Sequence, residues 1–312
     1  MSRNLNRRQV LKLSALTLVE TYCGKSSSSD DGISATENQG TIVRPFTIKK
    51  SLKFEMFQNN ELSIEEKFKI LKEIGFDGVE IESPNDLDLD DIIAARDKTG
   101  LEIPGVIDSV HWKKPLSDPD PNIREEGRAA LETALYDAKA YGSTTVLLVP
   151  AVVKKGISYK DAYNRSQAEI HKTIPLAHKL GVKIAIENVW NNFLYSPLEM
   201  ARYIDELESP MVGSYFDVGN VVNYGWPEQW IRILNNRIMK LDIKEYSREK
   251  RDKKGPYTGF EVPLGEGDCD WPAVIAALQE IGYNGWGSAE VKGGNRARLV
   301  EISKRMDSIF LV

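Results

Sequence analysis

The sequence predicts a (β/α)8 barrel, an α/β fold of one domain, over residues 46–312. Eight short runs rich in β-forming residues alternate with longer segments of helical period, which is typical of βα units around a parallel sheet. The units average about 33 residues, the size found in ordinary closed barrels. The alternative is a doubly wound open sheet, which needs a glycine-rich phosphate loop after its first strand. Residues 57–60 (FQNN) contain no glycine, so we expect the closed barrel.

The predicted strands are short apolar runs separated by helical segments. They cover residues 51–57, 78–83, 101–108, 144–149, 183–189, 213–218, 238–243 and 285–291. Ser63 and Glu66 have the spacing of a capping box, and Ser196 before Pro197 repeats that arrangement with proline at the first helical position. Glycines mark the predicted helix ends just before strands, at Gly75, Gly100, Gly142, Gly181 and Gly282.

Composition excludes several classes of partner. A net charge of −5 and a pI near 5.5 argue against nucleic-acid binding, which requires a basic surface. No segment approaches the roughly 18 consecutive apolar residues of a membrane span. Cys23 and Cys269 lie far apart in the sequence, so they predict neither a disulfide framework nor a thiolate metal site.

The N-terminal region has the composition of an export segment. Arg7 and Arg8 precede a short apolar run, which predicts a Tat-type signal in residues 1–22 and a periplasmic location. An amphipathic N-terminal helix would explain the apolar run but not the paired arginines. Residues 23–45 are polar and read as a tether. Cys23 suggests a lipid anchor, although residues 20–22 (ETY) depart from the small residues that lipoprotein processing prefers.

Four acidic residues close consecutive predicted strands, the fifth to the eighth. They are Glu187, Asp217, Asp242 and Glu290. Strand ends in a barrel face one shared mouth, where four carboxylates without a cation would repel one another strongly. The alternative is that each carboxylate caps the helix that follows it. We predict one divalent metal ion, with Mn²⁺ or Mg²⁺ favoured by oxygen ligands and Co²⁺ or Zn²⁺ as alternatives.

Further polar and aromatic residues follow the strands. Lys244, on the same strand face as Asp242, either stabilises a developing oxyanion or forms an ion pair with Glu245 or another acid. His111 is the one histidine in a mouth loop and a candidate either to hydrogen-bond substrate or to carry a proton, whereas His171 and His178 share a predicted helix face and are structural or exposed. Candidate substrate-binding residues are Asn188, Asn191, Asn220, Trp112, Trp190 and Trp226, with turn formation as the alternative for the asparagines.

These motifs resemble a known family. Glu187 and Glu290 after apolar strands, the run 216–219 (FDVG), and the run 264–268 (LGEGD) followed by Trp271 resemble the xylose isomerase-like sugar phosphate isomerase/epimerase superfamily. The resemblance covers roughly residues 46–312 and implies that the metal ligands are the four strand-end acids. Epimerases of that family typically have histidine in place of Asp242 and often in place of Asn220. These departures bear on the epimerase assignment more than on the metal, because aspartate still binds a hard cation.

The resemblance and the charges together predict an enzyme. A metal-bound carbonyl would favour loss of a proton from the neighbouring carbon, and Glu187 and Glu290 could remove and return that proton. The leading hypothesis is an isomerase or epimerase acting on a sugar or keto-sugar. One alternative is a lyase or hydratase that acts on oxidised (3-keto) glycosides, and another is a non-catalytic exported sugar-binding barrel. Three histidines are too few for the nuclease branch of this fold.

Overall fold

The structure, a computed structural model, describes residues 46–311. Its eight parallel strands form one sheet in the order β1-β8-β7-β6-β5-β4-β3-β2. Phe54 and Glu80 supply the closure between β1 and β2, because the Phe54 amide donates to the Glu80 carbonyl and the Glu80 amide to the Leu52 carbonyl. The strands are β1 Ile48–Leu52, β2 Ile81–Ser83, β3 Gly105–Asp108, β4 Thr145–Leu148, β5 Lys183–Glu187, β6 Val212–Asp217, β7 Ile238–Ile243 and β8 Gly285–Ala289.

All eight predicted strands are present, and the predicted closed barrel is confirmed. β7 has the predicted bounds. The first strand differs most, because it starts at Ile48 and the segment Phe54–Met56 is a 3-10 turn instead of strand. The predicted open-sheet alternative is wrong, since β1 pairs with both β8 and the segment before β2.

Helices cover the outside of the barrel and begin at the predicted signals. Ser63 caps the first helix with the full capping box. Ser196 accepts from the Glu199 amide, but the Glu199 carboxylate returns to the Tyr195 amide, so this box is displaced by one residue. The helices are α1 Ile64–Glu73, α2 Leu89–Thr99, α3 Pro121–Tyr141, α4 Tyr159–Leu180, α5 Pro197–Asp205, α6 Val218–Val222, α7 Pro227–Leu234, α8 Arg248–Lys254, α9 Trp271–Glu280 and α10 Arg296–Phe310.

The barrel interior is ionic rather than apolar near its mouth. Barrels of this kind usually fill their centre with layers of branched apolar side chains. Here the buried Tyr215 hydroxyl on β6 donates across the interior to both carboxylate oxygens of the buried Glu80, at 2.8 and 2.7 Å. Lys53 and Lys240 are buried beside Glu80, at 2.8 and 3.7 Å from its oxygens. Charged groups therefore extend from the mouth into the barrel.

Several expectations concern the chain before residue 46. The export signal in residues 1–22, the tether in residues 23–45 and the lipid anchor at Cys23 lie outside the described residues and stay predictions. Within residues 46–311, no helix has the length and apolar character needed to cross a membrane. Cys269 is a buried free thiol.

Candidate metal centre

The four predicted acids meet at the mouth of the barrel. One carboxylate oxygen from each of Glu187, Asp217, Asp242 and Glu290 lies within 4.8 Å of the others. Glu187, Asp217 and Asp242 end or nearly end their strands and are buried, whereas the Glu290 side chain just beyond β8 is 38% exposed. The arrangement is a small oxygen-lined cage that is open to solvent on the Glu290 side.

Two lysines reach into this acidic cluster from different strands. The Lys244 ammonium lies 2.9 Å from Asp217 Oδ2 and 3.0 Å from Glu290 Oε2. The Lys53 ammonium lies 2.7 Å from Asp242 Oδ1. Burial opposes these charges, but the facing carboxylates outweigh it and raise the pKa of both lysines above the ordinary range. Both lysines are therefore cations inside the site, and the predicted ion pair of Lys244 with Glu245 or another acid is present with Asp217 and Glu290, not with Glu245.

The ionised groups of the site carry a net negative charge that one divalent cation would neutralise. Five carboxyl groups, those of the cluster and Glu80, face the ammonium groups of Lys53, Lys240 and Lys244, which leaves two negative charges in excess when all are ionised. Without a cation, burial and then the neighbouring carboxylates raise the pKa of Glu187 and Asp242 well above normal. A proton on Glu187 then offsets part of the excess charge, while the Lys53 ammonium faces the Asp242 carboxylate.

Glu290 and Asp217 respond differently to the same surroundings. Burial alone would raise the pKa of Glu290, but Lys244 and Lys53 hold it at about 2. Burial raises the pKa of Asp217 to about 6 despite the ammonium of Lys244. Asp217 Oδ2, both oxygens of Asp242 and Glu290 Oε2 are buried atoms without a well-formed hydrogen bond, although the two lysines lie close to them. Unsatisfied oxygens of this kind fit a cation better than a purely structural ion-pair cluster.

Glu245, the buried glutamate next to Lys244, binds the loop that precedes α9. The Glu245 carboxylate accepts from the backbone amides of Gly265 and Cys269 and from the Trp271 indole, at 2.8 to 3.0 Å. A side chain at Gly267 would collide with this carboxylate, because its Cβ would lie 2.5 Å from Glu245 Oε1. The LGEGD run is thus the loop that wraps around Glu245 and fixes the end of β7 beneath Lys244.

The predicted asparagines support the ligands through the backbone. Asn188 donates to the Asp217 carbonyl and accepts from its amide, at 2.7 and 2.8 Å. The Asn220 side chain donates to the Asn188 carbonyl, and the Asn220 backbone amide donates to Asp217 Oδ1 at 2.7 Å. Asn191 donates to the Ala151 carbonyl. These contacts show that the asparagines hold the backbone around the ligands. Their predicted role in substrate binding stays a prediction.

The three tryptophans predicted to bind substrate lie in three different surroundings. Trp112 is 45% exposed and lines a cavity beside the acidic cluster. Trp190 donates to the Asn220 carbonyl and packs on Phe260, so it supports the mouth without lining that cavity. Trp226 stacks under the Arg248 guanidinium and lines neither of the two cavities next to the cluster, in the part of the chain that the structure describes.

The cavity beside the cluster has a volume of about 350 Å³. Its lining includes Glu187, Glu290, Lys53, Glu55, Glu82, Asp108, Ser109, His111, Trp112 and Gln58. His111 is buried, and its Nδ1 accepts from the Val149 amide at 3.3 Å, so the ring proton sits on Nε2. Burial lowers the pKa of His111 to about 3, which keeps the ring neutral. His111 is thus a neutral donor facing the site, which suits the expected hydrogen bond to substrate better than proton transfer, and both roles stay predictions.

A second cavity of about 790 Å³ lies on the other side of Glu290. Its walls are Lys244, Phe260, Glu261, Val262, Pro263, Val291, Lys292 and Arg298. Because Glu290 lines both cavities, it lies between two compartments of one mouth. The space available to a ligand therefore continues past the acidic cluster on both sides.

Sequence patterns alone missed the charges on the first two strands. Lys53, Glu80 and Glu82 belong to segments that read as strand, where a single charge resembles an ordinary solvent-facing position. The signal that could have found them is alternation, since Glu80 and Glu82 are two residues apart and share the inward face of β2. Lys53 carried no such signal, because the chain turns directly after it.

Comparison with known proteins identifies the family. The model of the xylose isomerase-like TIM barrel family matches residues 68–308. The chain belongs to this family. Relatives include a putative L-ribulose-5-phosphate 3-epimerase of Escherichia coli K12, 25% identical over 74% of this chain and 85% of the relative. An L-ribulose-5-phosphate 3-epimerase of Salmonella paratyphi C is 24% identical over 70% of this chain and 79% of its own length.

Solved structures share the family's barrel. A D-tagatose 3-epimerase-like protein superposes with a TM-score of 0.71 at 20% identity, over 85% of this chain and 97% of its own. A 3-keto-D-glucoside 4-epimerase from E. coli gives 0.69 at 17% identity, over 85% and 100%. The IolI protein, solved with a bound zinc atom, gives 0.69 at 18% identity, over 84% and 98%. These likenesses establish the fold of the chain.

Proposed function

We propose that the protein is a divalent-metal-dependent sugar isomerase or epimerase that moves a proton at the carbon next to a carbonyl. The observation that carries the proposal is the cage of four carboxylates within 4.8 Å, several of whose buried oxygens lack hydrogen bonds. Glu187, Asp217, Asp242 and Glu290 would hold the ion. Oxygen ligands favour Mn²⁺ or Mg²⁺, and Co²⁺ or Zn²⁺ also fit such a site.

The surrounding side chains suit proton transfer. A divalent ion in the cage would polarise a substrate oxygen and stabilise the negative charge that develops as the neighbouring carbon loses its proton. Glu187 and Glu290 line the same cavity from different strands, so each can hold or accept a proton on its own side of a sugar. Lys244 and Lys53 keep Glu290 ionised, whereas burial and the neighbouring carboxylates favour a proton on Glu187. His111 Nε2 offers a hydrogen bond to a substrate oxygen.

A further line of support comes from outside the site. The relatives named above are sugar epimerases, and the chain covers most of their length. We also propose that the predicted export signal in residues 1–22 directs the protein to the periplasm, which cell fractionation of the tagged full chain would test. Recovery of the protein in the soluble cytoplasmic fraction would remove that part of the proposal.

Hydrogen exchange tests the chemistry directly. The Mn²⁺-loaded protein is incubated in D2O with D-tagatose, L-ribulose or a 3-keto-glucoside, and deuterium at the carbon next to the carbonyl is followed by NMR. Glu187→Gln and Glu290→Gln should each slow exchange by about 10²- to 10⁴-fold, the usual range for general acid–base groups. Glu208→Gln, an exposed glutamate before β6, is the matched control. Exchange that survives both cluster substitutions would refute the proposed roles.

A second candidate function is a lyase or hydratase for oxidised (3-keto) glycosides with the same proton abstraction. The second cavity favours it, because Phe260, Val262 and Pro263 offer an apolar compartment for an aglycone beyond Glu290. The two functions differ in product. Free aglycone from a 3-keto-glycoside would support the lyase, whereas an intact epimer would support the leading proposal.

A further inference from the structure

The smaller cavity, beside Glu187, carries an inference about the substrate that rests on the proposed function. We propose that this cavity binds the hydroxyl-bearing end of an uncharged sugar and excludes a phosphate group. The inference concerns the chemical class of the substrate, and it separates this chain from the phosphosugar epimerases among its relatives.

Three carboxyl groups outside the metal cage line this cavity: Glu55 in the 3-10 turn, Glu82 on β2 and Asp108 at the end of β3. None of them forms an ion pair with any residue in the described range 46–311. Lys53 is the one cationic side chain of the described lining, and Asp242 and Glu80 already neutralise it at 2.7 and 2.8 Å. Apart from a metal ion held by Glu187 and Glu290, the described lining of this cavity therefore has no unpaired cation for an anionic ligand, since Lys292 and Arg298 line the second cavity instead.

Two of these acids lie where their ionised form is disfavoured. Partial burial and then the neighbouring Glu82 carboxylate raise the pKa of Glu55 to about 6. Burial raises the pKa of Asp108 to about 7, although the Val110 amide donates to its Oδ1 at 2.9 Å. A phosphate monoester would add one to two negative charges to this wall. Like charges brought together in a binding site cost several kcal/mol, which corresponds to more than about 100-fold in affinity.

The same wall suits sugar hydroxyls. His111 is 6% exposed, and its Nε2 lines the cavity without a partner in the described residues, so it presents a buried donor to a ligand. The carboxylates supply acceptors beside it, and Trp112 offers a partly exposed ring. One neutral donor, several acceptors and an aromatic face form a usual arrangement for a polyhydroxylated, uncharged ligand.

Calorimetry with a matched pair of sugars tests the inference. L-ribulose and L-ribulose 5-phosphate are titrated into the full-length Mn²⁺-loaded protein at constant free Mn²⁺, with inorganic phosphate as a blank. We expect the neutral sugar to bind at least about 100-fold more tightly than its phosphate ester. In Glu55→Gln/Glu82→Gln the phosphate ester should bind at least about 10-fold more tightly than to the parent protein, because repulsion falls while hydrogen bonding remains. Glu208→Gln should leave both affinities unchanged.

The outcomes separate this inference from the proposed function. A phosphate ester that binds as tightly as L-ribulose, or a double variant with no gain for the ester, overturns the inference and leaves the sugar isomerase proposal intact. Neither Glu55 nor Glu82 is fully buried, so the double variant should fold. Its melting temperature, compared with that of the parent, checks this. If neither sugar binds, the inference is overturned, and hydrogen exchange with the other sugars decides the proposed function separately.

Discussion

Replacing Lys53 with methionine should destabilise the protein in a way that reports the ionic interior. Methionine keeps the unbranched shape of lysine and removes its charge. Lys53 lies 2.7 Å from Asp242 Oδ1 and 2.8 Å from Glu80 Oε2, and both carboxylates are at most 1% exposed. Removing one partner of a buried ion pair costs about 3 to 5 kcal/mol. Glu80 keeps Tyr215 and Lys240, so most of this cost falls on Asp242.

Urea unfolding with chelator at pH 7 measures the effect. We expect the free energy of unfolding to fall by about 3 to 5 kcal/mol, which lowers the melting temperature by roughly 10 °C for a domain of this size. Lys53→Met/Asp242→Asn should recover more than half of the loss, because no carboxylate is left without its cation. Saturating Mn²⁺ should also narrow the deficit, since the ion supplies positive charge to Asp242.

The control is Lys155→Met, which removes an exposed lysine in the loop after β4. Surface substitutions of this kind change stability by about 0.5 kcal/mol or less. If Lys53→Met has the same free energy of unfolding as the control, the ion pair does not stabilise the barrel interior and the charge count is wrong.

Three further predictions follow from other groups. Asp108→Asn should stabilise the protein by an amount that grows from pH 5 to 8, measured by urea unfolding. A carboxyl group whose pKa rises to about 7 on folding makes the folded state less stable as pH increases, and asparagine removes that loss. The limit is about 4 kcal/mol, and a difference that does not change with pH would contradict the prediction. Mn²⁺ binding at pH 7 should release about one proton from Glu187, measured by calorimetry in buffers of different ionisation enthalpy, whereas no release would mean that this group is already ionised. Gly267→Ala should lower Mn²⁺ affinity about 10-fold by displacing Glu245; the control is Gly156→Ala, which is strained by its φ of +88° but meets no atom within 4 Å, and unchanged affinity for Gly267→Ala would separate that loop from the site.

The sequence was most informative where strand periodicity determined which way a side chain points. Glu187, Asp217 and Asp242 end apolar strands, and parallel strands bring their ends to one mouth, so their proximity could be predicted. Trp190 and Trp226 lie in loops whose paths depend on contacts between distant segments, such as the bond from Trp190 to the Asn220 carbonyl. No local pattern carries that information.

The unpredicted part of the site is the partnership of charges across the interior. A lysine after β1 has no sequence relation to an aspartate on β7, although the two groups lie 2.7 Å apart. Glu245 was similarly one of the acids predicted to pair with Lys244, but its carboxylate binds the LGEGD loop, and Asp217 and Glu290 are the partners of Lys244. Pairings of this kind arise only when the barrel closes.

The ionic interior links the residue at position 242 to the charges beneath it in the barrel. The resemblance places histidine at the position of Asp242 in the epimerases, and a neutral ligand there would leave Lys53 with one carboxylate fewer to balance it. A change of ligand is therefore tolerable only together with a change at Lys53 or Glu80. Members of the family with aspartate at this position should carry the lysine as well, and grafting either residue alone into a histidine-type barrel should fail.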